Sequence, residues 1–158
     1  MTVSIELRLE VEELLHTYGA VLDAGDLDRW PDFFTEDCFY QVIPRDNYDR
    51  GLPLALIRCE SKGMLKDRVY AIRETMMYEP RYLRHLISGI RVTGEDERGM
   101  TVEANYAVFE TPVDELTRVF NVGRYLDCIV RQDGRLKFAE KHCIFDSLLV
   151  PNSIIFPI

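Results

Sequence analysis

A stretch in the middle of the chain combines acidic, basic and imidazole side chains that could perform acid–base chemistry. It covers residues 64–88 and contains the pairs Asp67-Arg68 and Arg84-His85. A carboxylate and an imidazole that are held together can transfer protons. A guanidinium can instead bind a carboxylate of this chain or of a partner in fixed, bidentate geometry. The residue types alone leave both roles open.

A helix is predicted to carry the first pair. Its apolar residues recur every three or four positions, Ser61 can cap its first turn, and Pro80 lies beyond its end. Asp67 and Arg68 fall between the apolar positions, where a solvated helix face is the simplest expectation. The apolar positions are Leu65, Val69, Ile72 and Met76.

A strand is predicted to carry the second pair. Successive side chains of a strand point to opposite sides, so Arg84 and His85 lie on different faces of the sheet. In a dehydratase, His85 would form an acid–base set with Asp26, Asp32 or a tyrosine. The simpler interpretation is a neutral histidine that is hydrogen-bonded inside the sheet.

The rest of the chain predicts helices first and strands afterwards. An amphipathic helix is expected over residues 7–22, and a short helix follows from a cap at Asp26 to Phe34. The dipeptide Asp133-Gly134 is typical of a tight hairpin turn. Strands are predicted at 39–43, 54–58, 82–93, 101–112, 117–131 and 136–149, with a loop over 44–51.

Composition limits the partners and the compartment. The chain has 158 residues and a formal net charge of −8, whereas nucleic-acid phosphates require clustered Lys and Arg. No apolar run has the length of a membrane span, and the first residues lack the apolar core of a signal peptide. We therefore expect a single domain over residues 1–158, located in the cytoplasm, that binds neither nucleic acid nor a membrane.

The cysteines and histidines form no metal-binding motif. The four cysteines stand singly, without a C-x-x-C pair, and are expected to be free thiols in a reducing compartment. The three histidines are too far apart in sequence for a Rieske-type or H-x4-H iron motif. We therefore expect no metal and no cofactor in this chain. These residues are Cys38, Cys59, Cys128, Cys143, His16, His85 and His142.

The order of the elements resembles that of a known cone-shaped fold. Two helices and a strand precede a four-stranded meander, as in ketosteroid isomerases, polyketide cyclases, scytalone dehydratase and nuclear transport factor. Residues 24–27 and 33–37 resemble the entry signature of that superfamily. The resemblance implies an α+β fold with helices packed on one face of a strongly bent, mostly antiparallel sheet. Because this fold hosts enzymes and binding proteins alike, it leaves the function open.

The resemblance also implies where an isomerase would hold its base. That residue lies on the first strand, five positions after the aspartate that matches Asp37, and it is Val42 here. An aliphatic side chain cannot accept a proton, although Tyr18, Asp127 or Asp146 could still act as a donor or base. A stand-alone isomerase, cyclase or dehydratase, or a small-molecule-binding protein, therefore stays as an alternative.

A second resemblance covers nearly the whole chain. The stretch 65–92 is similar to the signature of the small, or beta, subunits of Rieske non-heme iron aromatic-ring-hydroxylating dioxygenases, with Asp-Arg-Val on a helix, then Ile-Arg, Glu-Pro and Arg-His. The segment around Trp30 and Tyr40, and later Asp146 with the apolar residues 154–158, resemble the same family. The matching residues of the signature are Leu65, Asp67, Arg68, Val69, Ile72, Arg73, Glu79, Pro80, Arg84, His85 and residues 90–92.

This second resemblance implies a non-catalytic subunit. In such enzymes the large, or alpha, subunit carries the Rieske 2Fe-2S cluster and the mononuclear iron, and electrons reach it from NADH through a reductase and a ferredoxin. The small subunit holds large subunits together, usually as an α3β3 hexamer with contacts between beta subunits. No catalytic, cofactor-binding or metal-binding residue is then expected here. The residues expected to fix the fold or its interfaces are Trp30, Asp67, Arg68, Arg84, His85 and Asp146.

Two departures narrow the resemblance. Residues 74–78 lack the Thr-Gly and tryptophan that many beta subunits have before the proline, and Ser88-Gly89 stands where an asparagine is usual. The nearer similarity is to oxygenases of single-ring aromatic acids, such as terephthalate, salicylate or anthranilate.

The apolar stretch 148–158 is expected either to join an interface or to complete the domain's own core as a last strand.

Overall fold

Helices come first and strands follow, as the sequence predicts. The computed structural model describes residues 2–76, 78, 80–149 and 154–158. The helices are α1 (Ile5–Asp23), a 3-10 helix (Leu27–Phe33), α2 (Arg45–Asp49) and α3 (Lys62–Glu74). The strands are β1 (Phe34–Pro44), β2 (Ile57–Cys59), β3 (Arg81–Asp96), β4 (Gly99–Pro112), β5 (Arg118–Gln132) and β6 (Arg135–Phe145).

The six strands form one sheet in the order β2-β1-β6-β5-β4-β3. Neighbouring strands are antiparallel except β1 and β6, which are parallel. Helix α1 packs against β3 and β6, and α3 packs against β1 and the 3-10 helix. This arrangement confirms the predicted α+β fold with a mostly antiparallel sheet. We call the buried volume between these helices and the sheet face that they cover the cone interior.

Local signals in the sequence set the limits of both long helices. The Ser4 hydroxyl accepts a hydrogen bond from the Leu7 amide at the start of α1, and Ser61 does the same for the Met64 amide in α3. Such a cap satisfies an amide that has no partner within the helix. After α1, Gly25 has a φ of 70°, which favours glycine. The buried residues of these helices include Val11, Leu15, Tyr18, Leu22, Leu65, Val69 and Ile72.

Three local features differ from the expectation. The short helix after Asp26 is a 3-10 helix, and the Asp26 side chain makes no capping hydrogen bond. Residues 45–49, expected in a loop, form α2, and β2 begins at Ile57 rather than near residue 54. Pro44 precedes α2 with φ −62° and ψ 141°. Because proline fixes φ, the chain turns into a helix directly after the strand.

The β5–β6 hairpin contains a tight turn and a bulge. Asp133 and Gly134 have positive φ values of 54° and 78°, as in a type I′ turn, and they confirm the predicted hairpin. Further along, β6 carries one extra residue, Ala139, without a partner on β5. Such a bulge moves the following side chains to the opposite face. As a result, Lys141 is buried like Phe138, although the two are three positions apart.

None of the helices in the described part of the chain is both long and apolar enough to cross a membrane.

Candidate functional site

A hydrogen-bonded cluster in the cone interior ends on the last described residue. The indole Nε1 of Trp30 donates to the Tyr18 hydroxyl at 3.2 Å, and that hydroxyl donates to the main-chain oxygen of Ile158 at 2.8 Å. The Tyr40 hydroxyl donates to the same oxygen at 3.1 Å and accepts from the Ile158 amide at 2.8 Å. All four residues are buried. Trp30 therefore orients Tyr18 within the core.

Residues 154–158, which we call the tail segment, lie in the core without forming a strand. Ile154 and Ile158 are only 8% and 1% exposed. Arg68 fixes the segment from α3, because its Nη2 donates to the main-chain oxygens of Ile154 at 3.3 Å and Ile155 at 2.8 Å. The Arg68 guanidinium thus binds main-chain oxygens of its own chain, whereas the sequence left a solvated helix face and a carboxylate partner as the alternatives.

The apolar stretch 148–158 divides between the two roles expected for it. The tail segment completes the core, which is one of the two roles expected. It does so without forming the last strand that was predicted with that role. Leu148 and Leu149 are 72% and 81% exposed after the end of β6. For these two leucines the interface role stays a prediction. Residues 150–153, and Glu79 of the signature, lie outside the described residues.

Burial keeps the donors of the interior cluster protonated. Desolvation raises the pKa of Tyr18 and of Tyr40 well above the usual tyrosine value. It also raises the pKa of Cys143 to about 12, and the Cys143 thiol donates to the Ile158 oxygen at 3.2 Å. Loss of water disfavours the charged form of each group. At neutral pH these three side chains therefore donate hydrogen bonds and do not act as bases.

A buried ion pair that our sequence interpretation missed lies in the same interior. Lys141 Nζ donates to Asp127 Oδ2 at 3.0 Å, and neither side chain has exposed area. The ammonium lies over the rings of Tyr125, Phe138 and Tyr18, at centroid distances of 3.5, 4.3 and 4.6 Å. Cation–π contacts and the carboxylate together compensate the buried charge. Desolvation raises the pKa of Asp127, while attraction to Lys141 opposes this shift.

His85 joins strand β3 to the end of α1. Its Nδ1 lies 2.6 Å from Asp23 Oδ1, and its backbone amide donates to the same carboxylate at 2.9 Å. The imidazole is fully buried, and its Cβ faces Gly19 of α1, where an added methyl group would be tightly crowded. The hydrogen-bonded histidine expected from the strand pattern is thus present. Its partner is Asp23, however, and not Asp26 or Asp32.

The other candidate residues lie on the surface. Asp67 is exposed on α3, and Arg84 is exposed on the outer face of β3. Asp146 follows β6 and lies 3.4 Å from Arg45 in an exposed ion pair, a type of contact that contributes little to stability. The structure therefore separates the six candidates into an interior group (Trp30, Arg68 and His85) and a surface group (Asp67, Arg84 and Asp146).

Two members of the surface group border an apolar surface at one end of the sheet. A groove of about 600 Å³ on the outer face is lined by Leu86, Phe109 and Val122 and reaches Asp146. Arg84 pairs with Phe109 across the sheet, and the Asp146 amide donates to the Val122 oxygen. We call the exposed large apolar side chains of this region the apolar end: Tyr82, Leu86, Val113, Leu116, Val119, Val122, Leu148 and Leu149.

The residues named for a stand-alone reaction are poorly placed to perform one. Val42, at the position of the isomerase base, is fully buried in the apolar core. Asp127 is bound by Lys141, and Asp146 is exposed. Tyr18 is engaged by its hydrogen bonds. Among the described residues, no three His, Cys, Asp or Glu side chains come together as a metal site. This geometry favours a structural role.

One protein family matches most of the chain. The family model described as "Ring hydroxylating beta subunit" matches residues 19–152. The chain belongs to this family. As a beta subunit it is a component of an aromatic-ring-hydroxylating oxygenase, and the alternative of a stand-alone isomerase, cyclase or dehydratase is not favoured. The resemblance deduced from the Asp-Arg-Val and Arg-His signature is thereby confirmed.

Two relatives of this beta subunit are similar over most of their length. The small subunit of anthranilate 1,2-dioxygenase from Burkholderia cepacia is 34% identical over 158 residues, which cover 100% of this chain and 98% of the relative. Subunit beta 2 of the terminal oxygenase component of terephthalate 1,2-dioxygenase from Comamonas sp. is 31% identical over 141 residues, 89% of this chain and 92% of the relative.

Solved structures place the fold in the expected class. A crystal structure from Novosphingobium aromaticivorans, described as the beta subunit of an aromatic-ring-hydroxylating dioxygenase, superposes with a TM-score of 0.87 at 38% identity and covers 96% of this chain and 97% of that one. A protein of the same organism described as a scytalone dehydratase gives 0.67 at 20% identity, with 87% and 82% coverage. The second likeness shows the fold alone, and it confirms the cone-shaped class.

Proposed function

We propose that this beta subunit assembles the large subunits of its oxygenase and takes no direct part in catalysis. The observation that carries the proposal is the apolar end, where large apolar side chains are exposed together on one part of the sheet. Contiguous apolar surface is uncommon on monomeric proteins and marks protein–protein contacts. The cone interior supports the same conclusion. Its tyrosines Tyr18 and Tyr40 bind the tail segment, and Lys141 and Asp127 bind each other.

The proposed partner is the large, or alpha, subunit, in an α3β3 hexamer in which beta subunits also contact one another. Interfaces of this kind combine an apolar centre with a polar rim. Arg84 and Asp146 border the apolar end and are suited to such a rim. An obligate interface usually buries more than about 2,000 Å². The apolar end extends over β3, the β4–β5 turn, β5 and the residues after β6, and it can contribute to an interface of that size.

The redox centres are assigned to the large subunit in this proposal. That subunit would carry the Rieske 2Fe-2S cluster and the mononuclear iron, with electrons supplied from NADH through a reductase and a ferredoxin. The part of this chain that the structure describes offers no group of ligands for either centre. We also propose a cytoplasmic location, which the free thiols of Cys38, Cys59, Cys128 and Cys143 support.

The proposed substrate of the assembled oxygenase is a single-ring aromatic acid. The names of the two relatives at 34% and 31% identity contain anthranilate and terephthalate, and both compounds are single-ring aromatic acids. In this proposal the substrate binds to the large subunit. The beta subunit acts on the reaction only through the arrangement of its partners.

Co-expression with a large subunit, which we expect a neighbouring gene to encode, tests the proposal. We expect the two chains to co-elute in size-exclusion chromatography as a complex with the mass of a hexamer. Iron should be found in the complex and in the large subunit, and should be absent from this chain when it is purified alone. The proposal fails if this chain by itself oxidises an aromatic acid. It also fails if the large subunit has the same turnover with and without it.

A further inference from the structure

We infer that Arg68 is a positioning residue for assembly. By holding the tail segment, it restrains the exposed residues Leu148 and Leu149, which contact the large subunit. The inference rests on the proposed function, because it deepens the role given there to the apolar end. Leu148 and Leu149 are the part of the apolar end that follows β6 and is not held by strand pairing.

The chain before the two leucines is fixed to the sheet. The amide of Asp146 donates to the Val122 main-chain oxygen of β5 at 2.9 Å. A bend follows at Leu148. Ser147 stabilises the bend, because its hydroxyl donates to the Leu149 oxygen at 2.8 Å and accepts from the Leu149 amide at 3.1 Å. The two leucine side chains therefore project into solvent from a hydrogen-bonded backbone.

The chain after the two leucines is fixed to α3 by Arg68. Its Nη2 donates to two consecutive main-chain oxygens, of Ile154 at 3.3 Å and of Ile155 at 2.8 Å, and hydrogen bonds from a charged donor are stronger than neutral ones. The Arg68 Nε is buried without a hydrogen-bond partner in the part of the chain that the structure describes. Burial lowers the pKa of Arg68 below the usual arginine value. The cation is thus partly removed from water at the place where the tail segment supplies acceptors.

Two anchors at this spacing limit the movement of the leucines. Five peptide units join Leu149 to Ile154, so their Cα atoms lie no more than about 18 Å apart. Without the Arg68 bonds, Ile154 keeps the apolar packing of its side chain, and the next contact along the tail segment is that of the Phe156 ring with Tyr78. A surface that is restrained before binding loses less conformational freedom when the partner binds. Arg68 therefore contributes to affinity without contacting the partner.

Four substitutions separate the anchor from the surface that it positions. Arg68→Met removes both bonds and keeps most of the side-chain volume. Arg73→Met is a matched control on the same helix, because Arg73 pairs with Asp28 at the surface. Leu148→Ala combined with Leu149→Ala removes the side chains that the anchor positions. A positioning effect requires these leucines, whereas a general loss of stability does not, and a double-mutant cycle distinguishes the two.

Biolayer interferometry with the large subunit that co-expresses with this chain tests the inference. We expect Arg68→Met to weaken binding about fivefold through lost preorganisation, and Arg73→Met to leave it unchanged. The two-alanine variant should bind at least about tenfold more weakly. Adding Arg68→Met to the two-alanine variant should weaken binding by less than about twofold further. The free energy of unfolding, measured by urea denaturation, should fall by the same amount when Arg68→Met is introduced into either chain.

Three results would overturn the inference while the large subunit still binds the unaltered chain. They are unchanged affinity of folded Arg68→Met, an equal loss in Arg73→Met, and the same loss from Arg68→Met with and without the leucines. Absence of binding to the unaltered chain would refute the proposed function, and this inference with it.

A second variant is used if Arg68→Met does not fold. Seven Gly and Ser residues inserted after Leu149 double the length of chain between Asp146 and Ile154, while Arg68 stays in place. The longer connection should weaken binding about threefold, because its closure costs more entropy. Unchanged affinity of the folded insertion variant would refute the inference.

Discussion

The cone interior and the apolar end of the sheet place side chains in opposite environments. In the interior, groups capable of chemistry are fully buried and bound to one another, as in the Lys141–Asp127 pair and the tyrosines around Ile158. At the apolar end, large apolar side chains such as Leu116 and Leu149 face solvent. The difference agrees with the proposal that the polar groups of the interior act within the fold, whereas the apolar end meets a partner.

Both regions belong to the same sheet, so the contrast arises from its two faces. Helices α1 and α3 cover one face, which carries the buried side chains of β4, β5 and β6, whereas the short helix α2 packs beside His142 on the other face. Alternate residues of the same strands form the outer face. Tyr106 and Ala107 illustrate the rule: Tyr106 is buried against Tyr125, while its neighbour lines the outer groove beside Leu86. A substitution can therefore test one region with little effect on the other.

The largest expected effect is on the interior ion pair. Lys141→Met leaves the Asp127 carboxylate buried without its partner, and we expect a loss of about 3–5 kcal/mol in the free energy of unfolding. Urea denaturation measures it. Lys141→Met combined with Asp127→Leu should regain most of this loss, because no unpaired charge remains. Arg91→Met, at an exposed pair with Glu103, is the control and should cost less than about 1 kcal/mol. Equal losses in the two single variants would contradict a special role of the interior.

Charge placed on the apolar end should affect assembly instead of folding. Leu86→Glu combined with Val122→Glu is expected to weaken binding to the large subunit at least thirtyfold, or about 2 kcal/mol. The free energy of unfolding of the isolated chain should stay within about 0.5 kcal/mol, because both residues are exposed. Biolayer interferometry and urea denaturation measure the two quantities. Ile5→Glu, at an exposed position of α1, is the control; if it impairs assembly equally, the apolar end is not the interface.

Alkaline pH should lower the free energy of unfolding in part through the buried Cys143 thiol. Burial raises the pKa of Cys143 to about 12, whereas a thiol of the unfolded chain loses its proton near pH 8.5. The folded chain therefore retains a proton that the unfolded chain releases, and this stabilising contribution is present below about pH 8.5 and lost as pH rises toward 12. The slope from one thiol is at most about 1.4 kcal/mol per pH unit. Urea denaturation between pH 8 and 10.5 should show a shallower slope for Cys143→Ala. Identical slopes would show that Cys143 is not held protonated.

The smallest expected effect concerns the polar rim of the apolar end. Arg84→Ala should weaken assembly roughly fivefold, or about 1 kcal/mol, because exposed charged contacts are partly screened by solvent. Turnover per assembled complex should be unchanged, and Arg91→Ala on the same strand is the control. Size-exclusion chromatography with an activity assay separates the two quantities. An intact complex without turnover would instead argue for a catalytic role of Arg84.

Patterns that repeat within a few residues predicted most of the elements. The apolar spacing of α1 and α3, the Ser61 cap of α3 and the Asp133-Gly134 turn are local signals that the structure confirms. Short elements were less predictable. The five residues of α2 and the three of β2 are too few to produce a clear period, so neighbouring contacts decide their form.

The interior ion pair shows why the site was harder to predict than the fold. Counting alternate residues forward from Phe138 places Lys141 on the outer face, whereas counting backward from Cys143 places it inside. The bulge at Ala139 resolves the conflict in favour of burial. A change of alternation within one strand was thus the available signal, and it could have identified Lys141 as an inward charge.

The sequence by itself determined the order of helices and strands, the cone-shaped class and the family, because these depend on local patterns and on a signature of adjacent residues. Only the tertiary structure decided what the signature residues contact. Arg68 meets the tail segment 86 and 87 residues away, and Tyr40 meets Ile158 across 118 residues. Such contacts depend on strand register and on the curvature of the sheet, which no local pattern encodes. For that reason a stretch rich in acids, arginines and a histidine proved to separate into interior residues, Arg68 and His85, and exposed residues, Asp67 on α3 and Arg84 beside the apolar end.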